Sequence, residues 1–127
     1  MLNPFDNIGQ TPLHLAAQEG HASVCEAIMK NVSDKNPSTN FGWTPLHFAA
    51  QRGHTSVCEG IMKNVSDKNP SNNDGWTPLH AAAMDGRIQA IKAILNQVSN
   101  KNPVNNDGKT PKDVFTKKDL ENDIDWE

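Results

Sequence analysis

Five histidines and two cysteines are the side chains of this 127-residue chain best equipped for chemistry. Imidazoles can ligate zinc or move protons near neutral pH, and thiols can bind metal, pair as a disulfide or act as nucleophiles. Their spacing points elsewhere. His14, His47 and His80 follow one another at intervals of 33 residues, as do His21 and His54, and Cys25 and Cys58. Each histidine lies in a near-copy of the same segment, Thr11-Pro-Leu-His-Leu-Ala-Ala-Gln-Glu-Gly-His21, Thr44-Pro-Leu-His-Phe-Ala-Ala-Gln-Arg-Gly-His54 or Thr77-Pro-Leu-His-Ala-Ala-Ala-Met-Asp-Gly-Arg87, and the cysteines open a second repeated segment, Cys25 to Pro37 and Cys58 to Pro70. A fourth, decayed copy starts on schedule at Thr110-Pro-Lys-Asp-Val114. Ligands and catalytic groups must converge on a point, whereas matching positions of stacked copies run in parallel, about 8 to 10 Å apart. The histidines therefore read as structural. By the same geometry Cys25 and Cys58 exceed the roughly 7 Å Cα separation that a disulfide tolerates, and they read as small core residues. No Ser-His-Asp set, paired-carboxylate site, Gly-rich phosphate loop or HExxH stands out, so the reading is of a non-enzyme without metal or cofactor.

The elements that position these residues follow from local chemistry. Thr is a good N-cap and Pro is pre-set for the first helical position, so Thr11-Pro12, Thr44-Pro45, Thr77-Pro78 and Thr110-Pro111 each start a helix, and Gly20, Gly53 and Gly86 end the first three. Ala16-Ala17, Ala49-Ala50 and Ala82-Ala83 let neighbouring helices approach closely. A second helix is predicted from about residues 22, 55, 88 and 121, with Val24, Cys25, Ile28, Met29 and Val32 on one face. Asn-Phe-Gly and Asn-Asp-Gly then form tight hairpins.

The 33-residue period carrying Thr-Pro-Leu-His-x-Ala resembles the ankyrin repeat, from about Asn7 to the end of the chain. The resemblance implies an all-α repeat fold, a helix-turn-helix solenoid with short β-hairpin-like fingers, in one domain. Its repeats would span roughly 7–39, 40–72 and 73–105, followed by a partial capping repeat over 106–127. It also implies that His14, His47 and His80 tie one repeat to the next, with His21 and His54 bracing the second helix. Where the family has a left-handed Gly after that helix, this chain has Val32, Val65 and Val98. A β-branched residue resists positive φ, so the helix is expected to run through each Val and end near Ser33-Asp34 by another route. Asn3-Pro4 matches Asn36-Pro37, so the chain opens in the last residues of a repeat. Lys112 and Asp113 replace the Leu-His pair, as in a solvent-facing terminal repeat.

Composition narrows the partner. With 35% apolar and 21% charged residues and no apolar run near 20 residues, a folded chain without membrane insertion is expected. Its net charge of -3 is scattered, without the Lys/Arg stripe that nucleic acid demands. The opening Met1-Leu2-Asn3-Pro4-Phe5-Asp6 lacks the n- and h-regions of a signal peptide, so a cytosolic or nuclear setting is expected, where the sequons Asn31-Val-Ser33 and Asn64-Val-Ser66 go unglycosylated.

The resemblance implies protein-protein interaction, with a protein or peptide partner held on the concave face and finger tips. Residue by residue, the binding positions are Ile8, Gln10, Gln18, Glu19, Phe41, Trp43, Gln51, Arg52, Asp74, Trp76, Met84, Asp85, Asp107 and Lys109. Trp43 and Trp76 are the most telling, because they hold equivalent fingers with no obvious core to enter; the competing reading is that each braces its own finger. A monomer is expected, with end-to-end association open to the first repeat. Alternatives are a spacer segment of a longer array or an engineered ankyrin binder, and a side role implied by the family is hydroxylation of Asn36, Asn69 and Asn102.

Overall fold

The computed structural model describes residues 8–127; Met1 to Asp6 and the Asn3-Pro4 match lie outside them. Seven α-helices follow in order: α1 (Pro12–Glu19), α2 (Ala22–Lys30), α3 (Pro45–Arg52), α4 (Thr55–Met62), α5 (Pro78–Met84), α6 (Ile88–Leu95) and α7 (Pro111–Val114), then a 3-10 helix over Lys118–Asp123. The Thr-Pro starts act as read. Thr11, Thr44, Thr77 and Thr110 are extended N-caps whose hydroxyls accept the amide three residues on, and each Pro follows at the first helical position. Gly20 and Gly53 close α1 and α3 at φ 78° and 74°. A side chain there would meet a second obstacle, since a Cβ on Gly20 would lie 2.7 Å from the His54 ring and one on Gly53 2.9 Å from Arg87 Cδ. No helix of the described residues is long and apolar enough to cross a membrane.

The helices form two layers. Inner helices α1, α3, α5 and α7 pack successively against one another, as do outer helices α2, α4 and α6, and each inner helix of the first three pairs lies on its outer partner. Burial explains the alanines: Ala17, Ala49, Ala50, Ala82 and Ala83 are fully buried, so larger side chains would push the inner helices apart. Leu46, Leu79, Ile61 and Ile94 fill the space between layers without exposure.

Three expectations are corrected. The outer helices stop at Lys30, Met62 and Leu95, short of Val32, Val65 and Val98. Side chains meet carbonyls in and just past their last turns: Asn31 Nδ2 donates to Ala27 O at 3.0 Å, Asn64 Nδ2 to Gly60 O at 2.8 Å, and, beyond the helix ends, Lys35 and Lys68 Nζ to the carbonyls of Val32 and Val65 at 2.9 and 3.2 Å. The conformational argument itself holds, for every positive φ among the described residues belongs to glycine. The fingers are not hairpins of strand: among the described residues there is no strand, and each finger is a turn closed by a bond such as Thr39 N to Trp43 O at 2.9 Å.

Finally, no α-helix starts near residue 121. The 3-10 helix leads instead into an extended tail that buries Ile124 and Trp126 beside Phe115, whose ring meets Trp126 edge-on at 5.4 Å. Polar sequence from Thr116 to Asp123 holds too few apolar positions for a helical face, and three large side chains cover the α5–α6 end of the core instead. At the other end α1 and α2 leave Leu15, Val24 and Val32 exposed, at positions where Val57 and Ala90, the counterparts of Val24, are buried by a preceding repeat.

Candidate functional site

His14, His47 and His80 stand at the third position of their helices, where each Nδ1 accepts the Thr backbone N–H at 3.0 to 3.2 Å and contacts the Thr hydroxyl at 2.9 to 3.0 Å. Because Nδ1 accepts, Nε2 carries the proton and donates it across the repeat boundary, to Trp43 O at 2.8 Å, Trp76 O at 2.7 Å and Lys109 O at 2.8 Å. One ring thus caps its own helix and holds the next finger. His54 Nε2 and Arg87 Nε clamp the carbonyls of Gln18 and Gln51, at 3.1 and 2.9 Å. Asp113 replaces the imidazole in the last copy, and its carboxyl is held below the usual range by the Thr110 backbone N–H and hydroxyl.

This network excludes a proton. Burial pulls His47 down to about 4, against the opposing pull of the Trp76 carbonyl, with His14 and His80 disfavouring charge further; burial also lowers His80. The sign follows: the unfolded chain takes up protons at His47 below its ordinary value of about 6.5, and the folded chain does so only near 4. Stability from this residue is complete above pH 6.5 and lost as pH falls toward 4, amounting to about 3 kcal/mol over that window. Urea unfolding at pH 7 and pH 4.5 checks this; a His47→Gln variant should lose less across the same interval.

The cysteines are free and buried, and burial pushes the Cys58 thiol up to about 12 and raises Cys25, so neither is a thiolate at neutral pH. Among the described residues no group of three His, Cys, Asp or Glu side chains could hold a metal ion.

The fingers bring most of the sequence-predicted positions to one face. Trp43 and Trp76 are half-buried: Trp43 leans on His47 and Phe48, both at 5.2 Å, and Trp76 leans on His80 at 5.4 Å. One groove joins Ile8, Phe41, Trp43 and Gln51 along Phe48; the next joins Trp43, Gln51, Asp74, Trp76, Met84 and Asp85. Phe41 and Met84 are exposed at 58% and 46%, as are Glu19, Arg52, Asp107 and Lys109, while Gln18 is half-buried. Gln10 is only 8% exposed and drops from the surface. Neither groove includes Gln18, Glu19, Arg52, Asp107 or Lys109.

Sequence reasoning missed the residues that aim the indoles. Thr39 Oγ1 accepts the amides of Phe41 and Trp43 at 3.2 Å, and Asn72 Oδ1 those of Asp74 and Trp76 at 2.8 and 2.9 Å. Their signal was present: Thr and Asn are the residues of such turns, and Thr39, Asn72 and Asn105 keep the 33-residue interval. Ala81 was missed too, because a small side chain announces nothing until its neighbours are placed.

Compared with curated proteins, the chain finds no match. The family model described as ankyrin repeats (3 copies) matches residues 1–72 and 57–114. That match runs through all three complete helix pairs and their fingers, which stack in the register its period demands, and the chain belongs to the ankyrin repeat family.

Proposed function

We propose that the chain binds a protein or peptide partner on the concave face, with Trp43 and Trp76 as anchors and Gln51, Met84 and Asp85 tuning the choice of partner; no chemistry is performed. Ankyrin repeats generally mediate protein-protein interactions. The observation that carries the reading is where the copies diverge. The buried inner-helix positions are shared from repeat to repeat (Leu46 and Leu79, His47 and His80, Ala49-Ala50 and Ala82-Ala83), while the lining of the two finger grooves is not: Phe41 and Phe48 become Asp74 and Ala81 one period later, and Asp85 joins the second groove. Stability needs no such variation, and recognition does. Partner capture by the full chain, compared with a Trp43→Ala/Trp76→Ala variant, tests it; undiminished capture by the folded variant refutes it.

A second contact is supported by the bare face of α1 and α2, where Val24 is 47% exposed while its counterparts Val57 and Ala90 are at 2% and 1%. We propose that two copies meet there. Sedimentation velocity over a concentration series should show self-association that Val24→Asp abolishes; a sedimentation coefficient independent of concentration rules it out.

A further inference from the structure

The groove between Trp43 and Trp76 differs from its neighbour in three ways that together specify an occupant. In the first groove the Phe48 ring packs on Trp43 at 5.2 Å and an interplanar angle of 38°, taking the space against the indole and leaving an opening of about 210 Å³. One period on, the same position is Ala81, 3% exposed, and an opening of about 260 Å³ lies beside Trp76. The two remaining differences are electrical. Phe41 on the first groove's wall becomes Asp74, and Asp85, at the position of Arg52 that lies off the first groove, joins the wall of the second, so two carboxylates line this opening where the first groove has none. Both aspartates are exposed and line the opening. Among the described residues the ion pairs join Lys30 to Glu26 and Lys118 to Glu121, so both groove carboxylates are left for a ligand. No cationic side chain lines the opening.

We propose that this groove accepts an arginine side chain from a basic segment of the partner, an assignment that rests on the concave face being the binding surface. Two indoles offer π-faces that attract a cation, and two carboxylates supply the acceptors for its N–H groups. Guanidinium suits both demands at once. It is planar, stacks on aromatic faces, and presents five donors in a fixed fork, whereas an ammonium is a compact and strongly hydrated point charge. The receiving rings are held in place. Trp76 rests on His80, its amide bonds Asn72 Oδ1, and its carbonyl accepts from His47, so little ordering remains for the ligand to impose. The other occupant an open aromatic groove could take, an apolar side chain, would leave Asp74 and Asp85 beside it partly desolvated without a partner.

The test titrates three labelled nonapeptides of alternating glycine and arginine, lysine or glutamine into the full chain and follows anisotropy. The arginine peptide should bind tightest, with the glutamine peptide weaker by about tenfold or more and the preference shrinking as salt rises. D74N/D85N, at exposed positions, should weaken the arginine peptide by about tenfold while the unfolding midpoint stays in place. Ala81→Phe installs the side chain that the preceding repeat already carries, and should narrow the space beside Trp76 and weaken the arginine peptide with helical content retained. Equal affinity for the glutamine peptide, a lysine peptide bound as tightly as arginine, or an affinity unmoved by D74N/D85N overturns the assignment. A partner captured from cells separates the two readings. Loss with Trp43→Ala/Trp76→Ala but not with D74N/D85N keeps the concave face and overturns the arginine assignment, whereas retention with the Trp variant overturns the concave-face reading itself.

Discussion

Leu46→Ala is expected to lower the unfolding free energy by roughly 2 to 5 kcal/mol, the cost of emptying a fully buried leucine site. Leu46 is unexposed and sits on α3, which, like α5, packs on an inner neighbour at both sides as well as on its own outer helix. Its walls cannot collapse easily, because the surrounding Ala49, Ala50 and Ala82 already bring backbones close. Position in the array adds to the effect. A linear stack is stabilised by repeat terms and nearest-neighbour interfaces, so a weakened α3 loosens its contacts with both α1 and α5. Guanidinium unfolding followed by circular dichroism measures it; a loss below about 1 kcal/mol would show that this position is not part of the cooperative core.

The tryptophan substitutions should act on binding. Trp76→Ala is expected to weaken partner affinity by roughly 2 kcal/mol or more, as truncation of a hot-spot aromatic does. Among the described residues its aromatic contact is with His80, and the finger is held through the Trp76 backbone, whose carbonyl accepts from His47 and whose amide bonds Asn72; both bonds survive truncation. The fold should therefore lose little. Trp43 packs on both His47 and Phe48, so Trp43→Ala should carry a larger stability cost along with its loss of affinity. Calorimetric titration with the captured partner, alongside thermal unfolding of each variant, separates the two quantities. If Trp76→Ala destabilises as much as Leu46→Ala while the folded fraction binds normally, the tryptophans are finger braces and the surface is misplaced.

Local chemistry determined most of the architecture from the sequence alone. A Thr-Pro pair with His or Asp three residues after the Thr can cap a helix with its own neighbours, and a Gly, having no Cβ, can close it, so all four inner helices begin where the residues demand. The period of 33 residues then dictated stacking, because copies with one apolar face bury it only against each other. The structural rather than catalytic role of His47 was legible for the same reason, since parallel copies never converge.

Only the tertiary structure decided how the outer helices end, what covers the last repeat, and what stands beside each indole. Asn31 bonds the Ala27 carbonyl and Lys35 the Val32 carbonyl, choices that the type of residue at 32 does not announce, and Phe115, Ile124 and Trp126 become a lid only when the fold supplies the core they join. The indoles of Trp43 and Trp76 look equivalent in the sequence. They are made different by residues five positions later, Phe48 and Ala81, because the space beside a ring is a property of whatever side chain the fold brings next to it.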